Sequence, residues 1–194
     1  YGSKAALNIE VLSFTRLCNK VFYRYGGAAG EYVSDTARRL LMSLAVNELK
    51  DKLELCAAYG KNPAYGESLL ELVEEFKQAG ITPGQVLETA KSLQPEAFAG
   101  KMTELGEIYG VYQAMLERSY LDCTDDEARC ARLLEGQDFF AGYTVLVDSF
   151  MTYMAGEYRI LRQVFASAKE VYISFACPSL SEREEEGMGP FSIP

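Results

Sequence analysis

The sequence predicts an α/β protein, helical over most of its length, whose small parallel sheet is interrupted by a long all-helical block. Three observations predict it. Runs suited to strands sit near the two ends, "NIEVLSF" at 8–14, "YTVLVDSF" at 143–150 and "EVYISFAC" at 170–177. Between the first two, apolar residues recur at helical spacing. The last two are joined by a helical segment, and helix-connected strands pair in parallel. Uninterrupted apolar strands such as TVLV suit a parallel sheet covered by helices.

In chain order, "NIEVLSF" reads as a strand over 8–14, and helical spacing follows from Thr15 to Tyr25, stopped by Gly26-Gly27. A long helix is expected over 34–59, with Ser34 as its cap and Leu40, Leu41, Leu44, Ala45 and Leu49 as its stripe. Gly60 and Pro63 break it, and residues 66–79 form the next, with Leu69, Leu70, Val73 and Phe76 on one face. "TPGQ" at 82–85 spells a capping box with proline at the first helical position, and that helix runs to about Leu93. A longer helix covers about 97–121, and its Gly100, Gly106 and Gly110 either weaken it or admit a close neighbour. "TDDE" at 124–127 reads as a second capping box, for a helix ending at Gly136. The 143–150 strand ends in Asp148, a helix follows at about 155–167, and the last strand runs into the acidic "SEREEEG", read as a solvated tail. The organisation expected is 1–30 as the first part of the α/β core, 31–136 as a helical insertion, 137–180 as the second part and 181–194 as a tail.

The chain has 194 residues, 48% of them hydrophobic, a globular balance. No apolar run approaches the ~20 residues of a membrane helix, and no signal peptide is evident. Tyr1 in place of an initiator methionine is what a piece of a longer chain would show. Five widely spaced cysteines with no CxxC pair and no histidine read as reduced thiols, not a metal site, and exclude histidine-based catalysis within this chain. Net charge is −9, against simple electrostatic adhesion to nucleic acid. Its distribution is uneven: +3 over residues 1–30, −8 over 31–136 and −4 over 137–194.

In open parallel sheets, ligands bind beyond the carboxyl ends of the strands. Two polar sites fall there. Ser13, Phe14, Thr15 and Arg16 follow the first expected strand, inside the one segment with a positive balance. Such a turn offers hydroxyls and backbone N–H groups to a phosphate, an aromatic face to a base, and a cation. The same residues also suit a helix cap with a core phenylalanine, and both readings stand at this point. Asp148 and Ser149 follow the second strand. A carboxylate after four apolar strand residues has the form of a Walker B position, although many parallel strands end in Asp. No GxxxxGK[ST] phosphate loop exists, and "YGGAAG" at 25–30 follows a helix and lacks lysine.

"NIEVLSFTRLCNKVFYRYGG", "SLLELVEEFKQAGITP" and "TVLVDSFMTYMAGEYRILRQVFASAKEVYISF" together resemble, in order and over nearly the whole chain, the AddB/RexB component of AddAB/RexAB-type bacterial helicase–nucleases. The resemblance implies a superfamily 1 helicase fold, its P-loop NTPase-like domain 1A split by a helical 1B insertion. It implies ATP-dependent processing of DNA double-strand breaks in the cytoplasm, single strands and double-strand ends as substrates, and a heterodimer with an A subunit. It places Ser13, Phe14 and Thr15 on a "TFH"-like motif that touches single-stranded DNA, with Thr15 where related helicases often have histidine. It places Asp148 at the Walker B aspartate, and Ser149 where active helicases carry the glutamate that activates water. Glu157 aligns loosely with a glutamine after that box. ATP and Mg²⁺ are implied for the full-length family and an iron–sulfur cluster for a downstream region, none of them bound by this fragment alone. The expectation is therefore a fragment with a degenerate motor site and no ATPase activity by itself. Two alternatives remain: a fragment of an active superfamily 1 helicase, against which Ser149 stands, and a helical interaction module without nucleotide or DNA chemistry, suggested by the acidic block.

Overall fold

The computed structural model describes residues 9–54 and 63–175. Its elements are α1 (Phe14–Tyr25), α2 (Asp35–Glu48), α3 (Pro63–Gln78), α4 (Pro83–Ala90), α5 (Glu96–Glu117), a 3-10 turn (Cys123–Asp125), α6 (Asp126–Leu134), β1 (Thr144–Val147), α7 (Ala155–Ser167) and β2 (Glu170–Ile173). The two strands pair in parallel, Thr144 opposite Glu170 through Val147 opposite Ile173, as a strand–helix–strand unit requires.

The side chains sort into two cores. In the first, α2 to α5 meet around Met42, Ala45, Leu69, Val73, Ile108 and Tyr112. In the second, α1, α6 and α7 pack with the inner face of the sheet around Cys18, Phe22, Cys130, Leu134, Ile160 and Val164. Each large apolar side chain buried this way contributes about 1.5–3 kcal/mol. Although α6 lies inside the acidic block 31–136 in sequence, it packs on α1 and α7. Its close approach to α7 depends on Gly156, where a Cβ would stand 2.5 Å from Cβ of Glu127.

Local signals explain most boundaries. Ser13 and Ser34 accept backbone N–H bonds from Arg16 and Ala37. The Thr82 box closes in both directions, Gln85 N–H to Thr82 Oγ1 at 3.3 Å and Thr82 N–H to Gln85 Oε1 at 2.8 Å. Gly106 admits α4: a Cβ there would stand 2.8 Å from Leu87 Cδ2.

Five expectations are corrected. Residues 9–13 form no strand and pair with nothing in the sheet, so the parallel pairing expected of 8–14 is not found. They run extended into the α1 cap, and Val11 is 83% exposed. A strand needs a ladder partner, and the described residues put none beside it. The helix from 34 stops at Glu48, where the chain turns so that Leu53 reaches the same core as Leu49; residues 55–62 lie outside the described residues. On α2 the buried residues are Met42 and Ala45, while Leu40 and Leu44 face solvent. The second capping box does not form: Asp122, not Thr124, caps the 3-10 turn by accepting the Thr124 N–H at 3.1 Å, and α6 starts after it. The strands also end sooner than expected, each four residues long. The acidic tail, Cys56 and Cys177 lie outside the described residues.

The two cores are joined by charge. Lys77 of α3, 3% exposed, donates to Asp122 at 2.8 Å and to Asp125 at 2.9 Å. Arg38 of α2 bonds Asp122 and Glu74. Burial alone would raise the Asp122 pKa, but Lys77 and Arg38 outweigh it and hold the carboxyl below its usual value. The linker before α2 is pinned as well: Tyr32 donates to Asp126 at 2.8 Å, and Val33 N–H to Leu121 C=O at 2.9 Å.

Candidate functional site

The carboxyl end of the sheet gathers groups from three places in the sequence. Ser13 caps α1, its hydroxyl accepting the Arg16 N–H at 3.3 Å. The cap reading of that serine is thereby met. Thr15 and Arg16 stand exposed on the first turn of α1. Phe14 turns inward, half-buried, against two aromatics from the loop after β1. Its ring centroid lies 5.2 Å from that of Phe150, edge-on, and 6.5 Å from that of Tyr153. Phe150 and Tyr153 stack on each other at 5.5 Å. The Tyr153 hydroxyl is shielded and has no hydrogen-bond partner among the described residues.

Asp148 directly follows β1, at the strand end the sequence indicated. It accepts hydrogen bonds from the hydroxyls of Ser174, at the end of β2, and Ser149. Those bonds, Ser174 first, hold its carboxyl below the usual range. Ser149 has φ +67°, a left-handed backbone that costs a non-glycine residue of order 1 kcal/mol and commonly marks a functional turn. Glu157 does not face Asp148. Its carboxylate accepts the Met154 N–H at 2.9 Å and closes the start of α7.

Beside Asp148 stands a serine where a water-activating nucleotide centre needs a second carboxylate. Each Asp148 oxygen accepts one serine hydroxyl, and the neighbouring Ser149 can neither accept a proton from water nor ligate as a carboxylate. Among the described residues no three acidic or cysteine side chains come together as metal ligands. What the site can do is bind. An exposed arginine and threonine lie on the amino-terminal turn of a helix, where backbone N–H groups and the helix dipole favour an anion, beside a partly exposed cluster of three rings. Phe150, Tyr153 and Ser174 were missed in the sequence. "DSFMTY" held the signal, two aromatics just past a strand that ends in Asp.

Fold and site define a predominantly helical α/β protein whose polar and aromatic groups collect at the carboxyl end of a parallel strand pair. Comparison with known proteins places it more closely. The family described as "ADDB, N-terminal" matches residues 1–193, and the chain belongs to that family. It is 28% identical over 184 residues to the B component of the ATP-dependent helicase/deoxyribonuclease of Clostridium kluyveri, covering 95% of this chain and 16% of that protein. Its similarity to the proteins of the same name from Thermoanaerobacter sp. and Clostridium tetani is 28% over 168 residues and 26% over 186. Those matches cover 87% and 94% of this chain, and 15% and 16% of the relatives. The chain thus spans about one sixth of the length of the relatives it matches.

Proposed function

We propose that this chain is the amino-terminal part of the AddB-type component of an ATP-dependent helicase/deoxyribonuclease, which processes DNA double-strand ends in recombinational repair. In this reading it works in the cytoplasm with an A subunit, as half of a heterodimer, and its fold is that of a split helicase domain 1A with a helical 1B insertion. Its own part is to hold single-stranded DNA at the end of the sheet, not to turn over ATP. The observation that carries the reading is the juxtaposition of exposed Thr15 and Arg16 on the first turn of α1 with the Phe14, Phe150 and Tyr153 rings. Arg16 supplies charge to a phosphate, and the partly exposed rings offer a face to a base. Ser149 beside Asp148, in place of a carboxylate, supports the absence of a working motor.

The test is a salt titration of fluorescent single-stranded oligonucleotide binding by the intact protein, wild type and Arg16→Ala, at matched thermal stability. Arg16→Ala is expected to cost on the order of 1 kcal/mol and to lower the salt slope by about one charge, with a smaller effect for Ser13→Ala. Identical affinities and slopes would leave Arg16 as a surface residue of α1 and remove the strand-end turn from the DNA path.

A further inference from the structure

A second surface, away from that turn, contradicts the charge of the chain around it. Between α6 and α7 runs a groove of about 440 Å³ with Ala128 and Ala131 among its lining residues. Arg132 of α6 faces it from one side and Arg159 and Arg162 of α7 from the other, with Gln163 and Glu135 beside them. Through Ala128, Arg132 and Arg159 it joins a hollow of about 490 Å³, which is lined in part by Met154, the residue after Tyr153. The groove therefore leads back to the segment that carries the aromatic cluster.

The three arginines are exposed, and none has a carboxylate within ion-pair distance among the described residues. Among the described residues Arg159 reaches the Gly80 carbonyl alone, at 3.5 Å. Arg159 and Arg162 are three apart on one helix, and like charges at that spacing repel. The chain has 28 acidic residues, yet among the described residues Glu135 is the one acidic side chain lining the groove. Glu117, Asp125 and Glu127 line the adjoining hollow, where Asp125 is paired with Lys77 and Glu127 lies against Gly156 in the first turn of α7. A guanidinium presents planar paired donors suited to phosphate oxygens, and several along one groove suit a run of phosphodiesters. The small alanines leave room for a backbone but form no apolar pocket for a peptide side chain.

We infer that the α6–α7 groove is a second phosphodiester-binding surface, which carries the backbone of a single-stranded nucleic acid beyond the strand-end turn on Arg132, Arg159 and Arg162. The inference rests on the reading that the protein holds single-stranded DNA, and extends its path onto a face that net charge would exclude.

The experiment compares three variants of the intact protein in oligo-dT binding across a salt series. The first is Arg132→Gln/Arg159→Gln/Arg162→Gln. The second is Lys50→Gln/Lys52→Gln/Lys101→Gln, which removes the same charge from exposed sites elsewhere. The third is Arg16→Ala. The groove variant is expected to bind on the order of tenfold more weakly at low salt and to lose about two from the salt slope, since each phosphate contact on a single strand contributes roughly 0.7. The control should change affinity less than about twofold. Groove and control variants behaving alike would overturn the inference, even with Arg16→Ala impaired. A groove effect with a silent Arg16→Ala would keep the groove and remove the strand-end turn. Loss of poly-glutamate binding in the groove variant alone, with oligo-dT affinity unchanged, would assign the groove to an acidic protein segment and overturn the nucleic-acid assignment. Matched melting curves separate all of these from misfolding.

Discussion

The ring of Phe14, first residue of α1, meets the ring of Phe150 edge-on with centroids 5.2 Å apart, across 136 positions of sequence. This contact ties the turn before α1 to the loop after β1, and it assembles the candidate site. Edge-to-face pairs contribute about 0.5–1.5 kcal/mol beyond area burial. A double-mutant cycle of Phe14→Ala and Phe150→Ala, read by chemical denaturation, is therefore expected to give a coupling near 1 kcal/mol. Additive single effects would show that the two segments meet without holding each other.

Lys77 is the second joint. Removing one partner of a buried, hydrogen-bonded ion cluster leaves an uncompensated charge. Lys77→Met is expected to cost about 3 kcal/mol of unfolding free energy, and Asp122→Asn combined with it less than the sum of the two single changes. The Asp122 carboxyl is held below its ordinary value near 3.8. Its stabilising share is thus complete above that value and is lost as pH falls through the lower folded value. The Lys77→Met defect should shrink in acid. A defect equal at pH 7 and pH 3 would count against the ion pairing.

Glu127 runs the other way. Burial, and then the nearby Glu157, raise its pKa above the ordinary 4.5. A raised carboxyl pKa means that the ionised form costs stability at neutral pH, a cost removed as pH falls through the folded value. Glu127→Gln is expected to raise the melting temperature at pH 7, with the gain fading as pH falls through the raised folded value and gone below about 4.5. Melting curves at the two pH values check this, and a variant less stable at both would show that its carboxylate bonds matter more than its burial.

Much of the fold was legible because it is local. The Thr82–Gln85 box, the Ser13 and Ser34 caps and the glycine after α6 act within one turn of chain, so their residue types announce them. The parallel β1–β2 pair was legible because a helix between two apolar strands admits no other close pairing. Family membership was legible in the order of three stretches, independently of any contact. Asp148 could be placed at a strand end, since an apolar run followed by a carboxylate is written in one dimension.

What only the tertiary structure decided depends on partners distant in sequence. "NIEVLSF" has strand-forming residues, but a strand exists only with a ladder beside it, and none lies next to residues 9–13. The stripe on α2 settled on Met42 and Ala45, not on the more hydrophobic Leu40 and Leu44, because α5 approaches from that side. Asp122 instead of Thr124 became the cap because Lys77 and Arg38 fix its carboxylate in place. Phe150 and Tyr153 became part of a site only when Phe14 arrived beside them. The arginine groove was invisible for the same reason: Arg132 and Arg159 are 27 residues apart in a chain of net charge −9, and helix packing alone brings them to one face.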